Sequence, residues 1–134
     1  MSNARTPLYR VGQIKKHFPV LGGVLRRTKG YVRALDGVDL EVFRGETISV
    51  IGESGCGKTT LGRMLALLDK PTAGELAFDF GQGLQDVTTL RGEDRMRFRK
   101  KVQMIFQDPA ESLNPRHSVR DILEEPFLIH RLGD

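Results

Sequence analysis

The run Thr47-Ile48-Ser49-Val50-Ile51 stops at Gly52 and passes straight into Gly52-Glu53-Ser54-Gly55-Cys56-Gly57-Lys58-Thr59. Leu61, Met64, Leu65 and Leu68 then recur at i, i+3, i+4 and i+7. A β-branched run, a glycine-spaced loop and a helical period in immediate succession leave a chain few choices. They predict a short buried strand that enters a tight loop and leaves it as an amphipathic helix. Asp69-Lys70-Pro71 is expected to end that helix, because the residue before a proline is pushed out of the α region.

The loop has the form G-x-x-x-x-G-K-[ST], the phosphate-binding P-loop, and each fixed position has a physical reason. Glycines permit backbone angles that a side chain forbids, so that successive N–H groups can turn inward around phosphate oxygens. Lys58 supplies a flexible point charge for β- and γ-phosphates, and the Thr59 hydroxyl is placed to ligate Mg²⁺. The helix that follows presents its first N–H groups and the positive end of its dipole to the same anion. Cys56 lies inside the loop, where its backbone N–H matters more than its thiol.

The remaining chain reads as mixed strands and helices. Residues 1–30 are basic and carry Gly22, Gly23 and Gly30, which suits an extended or hairpin arm. Val38, Leu40 and Val42 alternate as in a half-buried strand, after a turn at Asp36-Gly37. Glu75 to Phe80 and Val102 to Phe106 read as further strands, residues 81–92 as an irregular connection, and Glu93 to Lys100 as a short charged helix. Prolines 109, 115 and 126 are expected to break any long helix in the tail. Ser118 followed by Asp121 is an acidic variant of the capping box, which predicts a helix beginning there.

Composition narrows the function classes. The chain has 134 residues, 39% hydrophobic and 28% charged, with a net charge of +4, so it has material for one packed core. Its longest apolar stretch, Met64 to Leu68, is far short of the roughly 20 residues a membrane-spanning helix needs. One cysteine excludes an intrachain disulfide and suits a reduced setting. His17, His117 and His130 lack metal-ligand spacing and read as surface residues. The basic run Arg91, Arg95, Arg97, Arg99, Lys100 and Lys101 reads as a solvated helix face rather than a nucleic-acid stripe.

Two stretches read together, ETISVIGESGCGKTTLGRMLALLDKPTAGEL and KVQMIFQDPAESLNPRHSV, resemble the ATP-binding subunit of ATP-binding cassette (ABC) transporters. The FQDP followed by SLNPR most resembles the oligopeptide and dipeptide importer subfamily, and the resemblance covers roughly residues 8–130. It implies an α/β fold: the N-terminal part of a P-loop NTPase (RecA-like) core, with an antiparallel β subdomain and the start of a helical subdomain. On that division residues 1–107 would hold the β subdomain and P-loop core, and 108–134 the exit from the Q-loop and the first part of the helical subdomain.

Carried over residue by residue, Gly52, Glu53, Ser54, Gly55, Cys56, Gly57, Lys58 and Thr59 would form the Walker A loop, with Thr60 as a further hydroxyl on the α-phosphate. Gln107 would be the Q-loop glutamine, which in the family approaches Mg²⁺ and the attacking water, so Lys58 and Gln107 would serve turnover and Thr59 and Gln107 the metal. Tyr31 is the candidate for the aromatic residue that stacks on adenine, with Phe18 or Tyr9 as substitutes and a packing role in the sheet as the alternative. The resemblance implies ATP and Mg²⁺ as ligands. Implied partners are membrane-spanning permease subunits and a second ATP-binding subunit, with a substrate-binding protein acting indirectly and no nucleic acid. The implied location is the cytoplasmic face of the cell membrane.

The family hydrolyses ATP with an LSGGQ-type signature, a hydrophobic strand ending in Asp-Glu and a switch histidine. None of these strings occurs here, so the chain reads as the N-terminal part of a longer ATPase and is itself expected to be inactive or nearly so. The alternative reading is a short nucleotide-binding or regulatory module that binds ATP without hydrolysis.

Overall fold

The computed structural model describes residues 6–22, 27–107 and 113–130. These form two compact units, one ending at Val102 and the other beginning at Gln103.

In the first unit the basic arm is a long antiparallel hairpin. Strand β1 spans Tyr9–Gly22 and β2 spans Arg27–Val42, paired from Tyr9 opposite Val42 to Gly22 opposite Arg27. Strand β3 (Ala73–Asp79) pairs antiparallel with the other edge of β1, and β4 (Leu84–Asp86) with β3, giving the order β2-β1-β3-β4. The three residues of β4 lie where the sequence suggested an irregular connection. Helix α1 spans Lys58–Leu65 and α2 spans Gly92–Lys101. Glu93 and Asp94 in the first turn of α2, and Arg99, Lys100 and Lys101 in its last, match the sign of the helix dipole at each end.

The core lies between sheet and helices. Tyr9, Val11, Ile14, Leu35, Leu76 and Phe78 from the sheet meet Leu61 and Met64 of α1, Phe98 of α2, and Val87. The spacing of Tyr9, Val11 and Ile14 breaks strict alternation because Gly12 and Gln13 together oppose the single residue Asp39. This bulge turns Ile14 inward where Gln13 would otherwise point. Gln13 adopts φ +46°, and its N–H donates to Asp39 Oδ1 at 2.8 Å. Its side-chain amide donates to the other carboxylate oxygen, so the bulge is held from both sides.

Helix α1 ends earlier than the proline predicts. Leu67 N–H donates to Met64 C=O at 2.9 Å and Leu68 N–H to Arg63 C=O at 2.8 Å, with Leu67 at φ +52°. These are the two bonds of a Schellman turn. The turn changes the phase of the chain, so Leu67 is buried and Leu68, the fourth member of the predicted apolar face, is 40% exposed. The new end is tied down by Tyr9 Oη donating to Leu65 C=O at 3.0 Å, by Arg95 donating to Leu67 C=O at 3.1 Å, and by the Arg63–Asp69 ion pair at 2.7 Å.

Two predicted strands are not formed. Residues 47–51 and 102–106 carry no strand and have no ladder partner among the described residues, and Ile51 and Ile105 are each 92% exposed. Continuous apolar runs of this kind suit parallel strands, which hold their shape only when neighbours bond both edges and other elements cover both faces. The side-chain pattern is present and its neighbours are not among the described residues.

In the second unit, helix α3 spans Val119–His130. Its start matches the predicted capping box: Asp121 accepts from Ser118 N–H at 2.9 Å and Ser118 Oγ at 2.7 Å, while Asp121 N–H donates to Ser118 Oγ at 3.2 Å. These bonds hold the Asp121 carboxyl below its ordinary pKa. Pro126 lies inside α3 rather than ending it. Having no N–H, it removes one rung of the ladder, and the rungs on either side carry the helix past it. Pro109 lies outside the described residues, and Pro115 sits in a turn before α3.

Candidate functional site

The site is built where α1 begins. Gly57 caps the helix in the left-handed region, at φ +99°, and no side chain caps the free N–H groups of the first turn. No acidic residue occupies that turn either. A helix start without a capping oxygen or an internal counter-charge leaves its N–H groups and positive dipole end available to an external anion.

The glycines make this geometry possible. Gly55 lies at φ +80°. A Cβ on Gly57 would stand 2.4 Å from the Ala34 carbonyl oxygen and 3.0 Å from a Leu35 methyl. The loop therefore packs directly on the backbone of β2, which only glycine allows there. Within the loop, Cys56 N–H donates to Glu53 C=O at 3.4 Å, a long bond.

Lys58 projects from the first position of α1 back across the loop. Its ammonium donates to Gly52 C=O at 2.7 Å and Glu53 C=O at 2.6 Å, with Cys56 Sγ at 3.5 Å. A single cation thus bridges the entrance of the loop to its exit. Thr59 is exposed and Thr60 half-buried, both in the first turn of α1. Among the described residues no cluster of three or more His, Cys, Asp or Glu side chains could hold a metal. The exposed Thr59 hydroxyl is a single oxygen donor, which fits Mg²⁺, an ion commonly held by one or two protein oxygens together with phosphate oxygens.

The other sequence candidates fall in different places. Tyr31 lies on β2 opposite Pro19 and is 63% exposed. Because Ala34 of the same strand touches Gly57, the fold brings the strand of Tyr31 to the loop. Tyr9 is buried and bonded to Leu65, so it is no substitute for Tyr31, and burial holds its hydroxyl well above the ordinary tyrosine pKa. Phe18 is 41% exposed beneath the Lys16 ammonium, 5.1 Å from its ring centre. Gln107 is exposed at a bend in the second unit. His17 is paired with Asp36 at 3.2 Å rather than free at the surface. Sequence reasoning missed the backbone of Ala34 as a wall of the site, because its contribution is a carbonyl group and any residue type supplies one.

Residues 35–130 match the family model described as ABC transporter. The chain is 47% identical over 120 residues to the oligopeptide transport ATP-binding protein AppF of Bacillus subtilis (strain 168), covering 89% of this chain and 35% of that protein. It is 47% identical over 124 residues to the dipeptide transport ATP-binding protein DppF of Escherichia coli (strain K12), covering 92% and 36%. The chain therefore spans little more than a third of the length of these relatives. Among solved structures, the dimeric bacterial ABC transporter cassette MJ0796 superposes with a TM-score of 0.71 at 25% identity, covering 94% of this chain and 49% of that one. The same cassette in a post-hydrolysis state bound to ADP and Pi gives a TM-score of 0.71 at 24% identity. Among the described residues no helix is long and apolar enough to cross a membrane.

Proposed function

The chain belongs to the ABC transporter family, and on that premise we propose that it grips the phosphates of MgATP as part of the ATP-binding subunit of a peptide importer. The observation that carries the proposal is the loop from Gly52 to Thr59, packed on Ala34 and capped at Gly57, with the uncapped start of α1 and the Lys58 ammonium both at the loop.

In this reading the backbone N–H groups of Glu53, Ser54, Gly55, Cys56 and Gly57 surround the β-phosphate. Lys58 leaves the Gly52 and Glu53 carbonyls to neutralise the β- and γ-oxygens, and the Thr60 hydroxyl meets the α-phosphate. Thr59 holds Mg²⁺, which when bound supplies charge neutralisation across the β- and γ-oxygens. Tyr31 offers its ring to the adenine. Gln107 senses the γ-phosphate side and, with the segment from Asp108 onward, leads into the helical subdomain that meets the permease, residues 1–107 forming the β subdomain and core. The relatives are oligopeptide and dipeptide transport proteins by name, which supports a peptide cargo, membrane-spanning permease partners, a second ATP-binding subunit and a place at the cytoplasmic face of the membrane. Binding, rather than turnover, is the activity assigned to these residues.

Isothermal titration of the full chain with ATP, ADP and AMP in the presence of Mg²⁺ tests the reading. ATP and ADP are expected to bind at least about tenfold more tightly than AMP, since the nest and Lys58 act on the β-phosphate. Equal affinity for all three would overturn it.

A further inference from the structure

The hairpin runs on past the core that supports its base. Strand β3 pairs with β1 only as far as Lys15, opposite Ala73, so beyond that point β1 and β2 have only each other as strand partners among the described residues. From His17 to Val20 their pairing is regular, with Phe18 opposite Val32, Pro19 opposite Tyr31 and Val20 opposite Gly30. Directly opposed residues of an antiparallel pair share a face, as do residues two apart on one strand. Phe18, Val20 and Val32 therefore stand on one side of the arm, and Pro19, Leu21 and Tyr31 on the other. All of the large apolar members are exposed, Leu21 and Val32 by more than half. A two-stranded ribbon is marginal in water by itself, and one that shows apolar side chains on both faces marks an interaction surface.

Charge narrows what covers it. No Asp or Glu precedes Asp36 in the chain, whereas Lys15, Lys16, Arg26, Arg27, Lys29 and Arg33 all fall between positions 15 and 33. Lys15, Arg33 and His17 share the single carboxylate of Asp36, at 3.6, 3.3 and 3.2 Å. One exposed carboxylate among three basic partners leaves positive charge in excess. Nearer the tip, the methylene stem of Lys29 lies against Gly22, where a Cβ would stand 2.4 Å from its Cδ. The stem thus runs along the ribbon and carries its ammonium beyond it, as a lysine does where an apolar layer meets a polar one.

We propose that the distal half of this hairpin docks on an anionic lipid surface, with Val20, Leu21, Val32 and Lys29 at the contact. The apolar faces and the charge select this occupant together. A groove in a protein or a nucleic acid meets one face of a flat ribbon and leaves the other in water, whereas a layer of lipid headgroups surrounds the arm and receives both. Cations with no carboxylate among them are drawn to the negative potential of such a layer. The outer edges of the ribbon carry unpaired backbone N–H and C=O groups, which hydrocarbon does not accept, so the arm rests at headgroup level and does not cross the bilayer. The contact lies outside the phosphate loop and needs no nucleotide.

The test is co-sedimentation of the full chain with vesicles of phosphatidylcholine alone and of phosphatidylcholine mixed equally with phosphatidylglycerol. The Lys29→Glu, Leu21→Ser and Lys101→Glu variants are run beside it, with a thermal melt of each. The chain is expected to bind the anionic vesicles at least about tenfold more tightly than the neutral ones, and to lose most of that preference as salt is raised. Lys29→Glu should weaken binding about tenfold and Leu21→Ser about fivefold, with the melts unmoved because neither side chain enters the core. Lys101→Glu makes the same change of charge on α2 and should leave binding within about twofold. No binding to anionic vesicles overturns the proposal, and so does equal binding to neutral ones. An equal loss in Lys101→Glu overturns it as well, since it would mark diffuse attraction to a basic protein. A loss in Lys29→Glu with none in Leu21→Ser removes the apolar half of the contact and with it the proposal. Duplex DNA that displaces the vesicles at equal phosphate concentration would assign the arm to nucleic acid instead.

Discussion

Lys58→Ala is expected to lower the affinity of the chain for MgATP by about a hundredfold or more, the scale seen when one partner of a close charge pair is removed. The same change should scarcely alter stability. In the structure Lys58 donates to two exposed loop carbonyls, Gly52 at 2.7 Å and Glu53 at 2.6 Å, and solvent can take over both bonds at a cost of no more than about 1 kcal/mol. Titration calorimetry and a thermal melt on the same sample separate the two effects. A lost affinity with an unmoved melt assigns Lys58 to phosphate binding. An unmoved affinity removes it from the site. Lys58→Arg should not rescue fully, since a planar guanidinium does not take the place of a compact ammonium against the β- and γ-oxygens.

Phe98→Ala should produce the largest loss of stability. Phe98 is fully buried and packs edge to face against Phe78 at 5.4 Å, Tyr9 at 6.3 Å and Phe80 at 6.4 Å between ring centres. It is the residue through which α2 closes the core over the sheet, and the other members of α2 are exposed or half-buried. Truncation to alanine removes a large apolar surface and leaves a cavity that three rings cannot collapse into, at a cost of about 3–5 kcal/mol. Against a total stability of about 5–15 kcal/mol for a typical domain, that loss lowers the melting temperature by roughly 15 °C or more. Phe98→Leu should cost distinctly less. A change under about 3 °C for Phe98→Ala would mean that α2 does not depend on this contact.

The parts of the molecule legible in the sequence are those whose cause is local. The loop from Gly52 to Thr59 could be read because glycine positions, the lysine and the helical period after it act within a dozen residues, and the cap at Ser118 is visible because Asp121 is three residues away. The hairpin arm followed from basic, glycine-bearing strands that need only each other. What failed depended on distant partners. Residues 47–51 and 102–106 have the composition of buried strands, but a strand is made by its neighbours, and none pairs with them among the described residues. The end of α1 was misplaced because Leu67 adopts φ +52°, a conformation that a leucine gives no sign of in sequence and that tertiary bonds from Tyr9 and Arg95 help to hold. The Gly12-Gln13 bulge is set by Asp39 on the facing strand, and β4 by pairing with β3. At the site, residue types pointed to the loop itself, whereas the Ala34 carbonyl as its wall became visible only once β2 was laid against the loop.

The central claim is that one nest, made by the Gly52–Thr59 loop and the first turn of α1, receives the phosphates of ATP. Backbone amide shifts of the ¹⁵N-labelled chain, followed as MgATP is added, test it most directly. The account predicts that the largest shifts fall on residues 53–60 and that they vanish in Lys58→Ala. Large shifts confined to residues outside the loop and β2, or the same loop shifts persisting in Lys58→Ala, would contradict it.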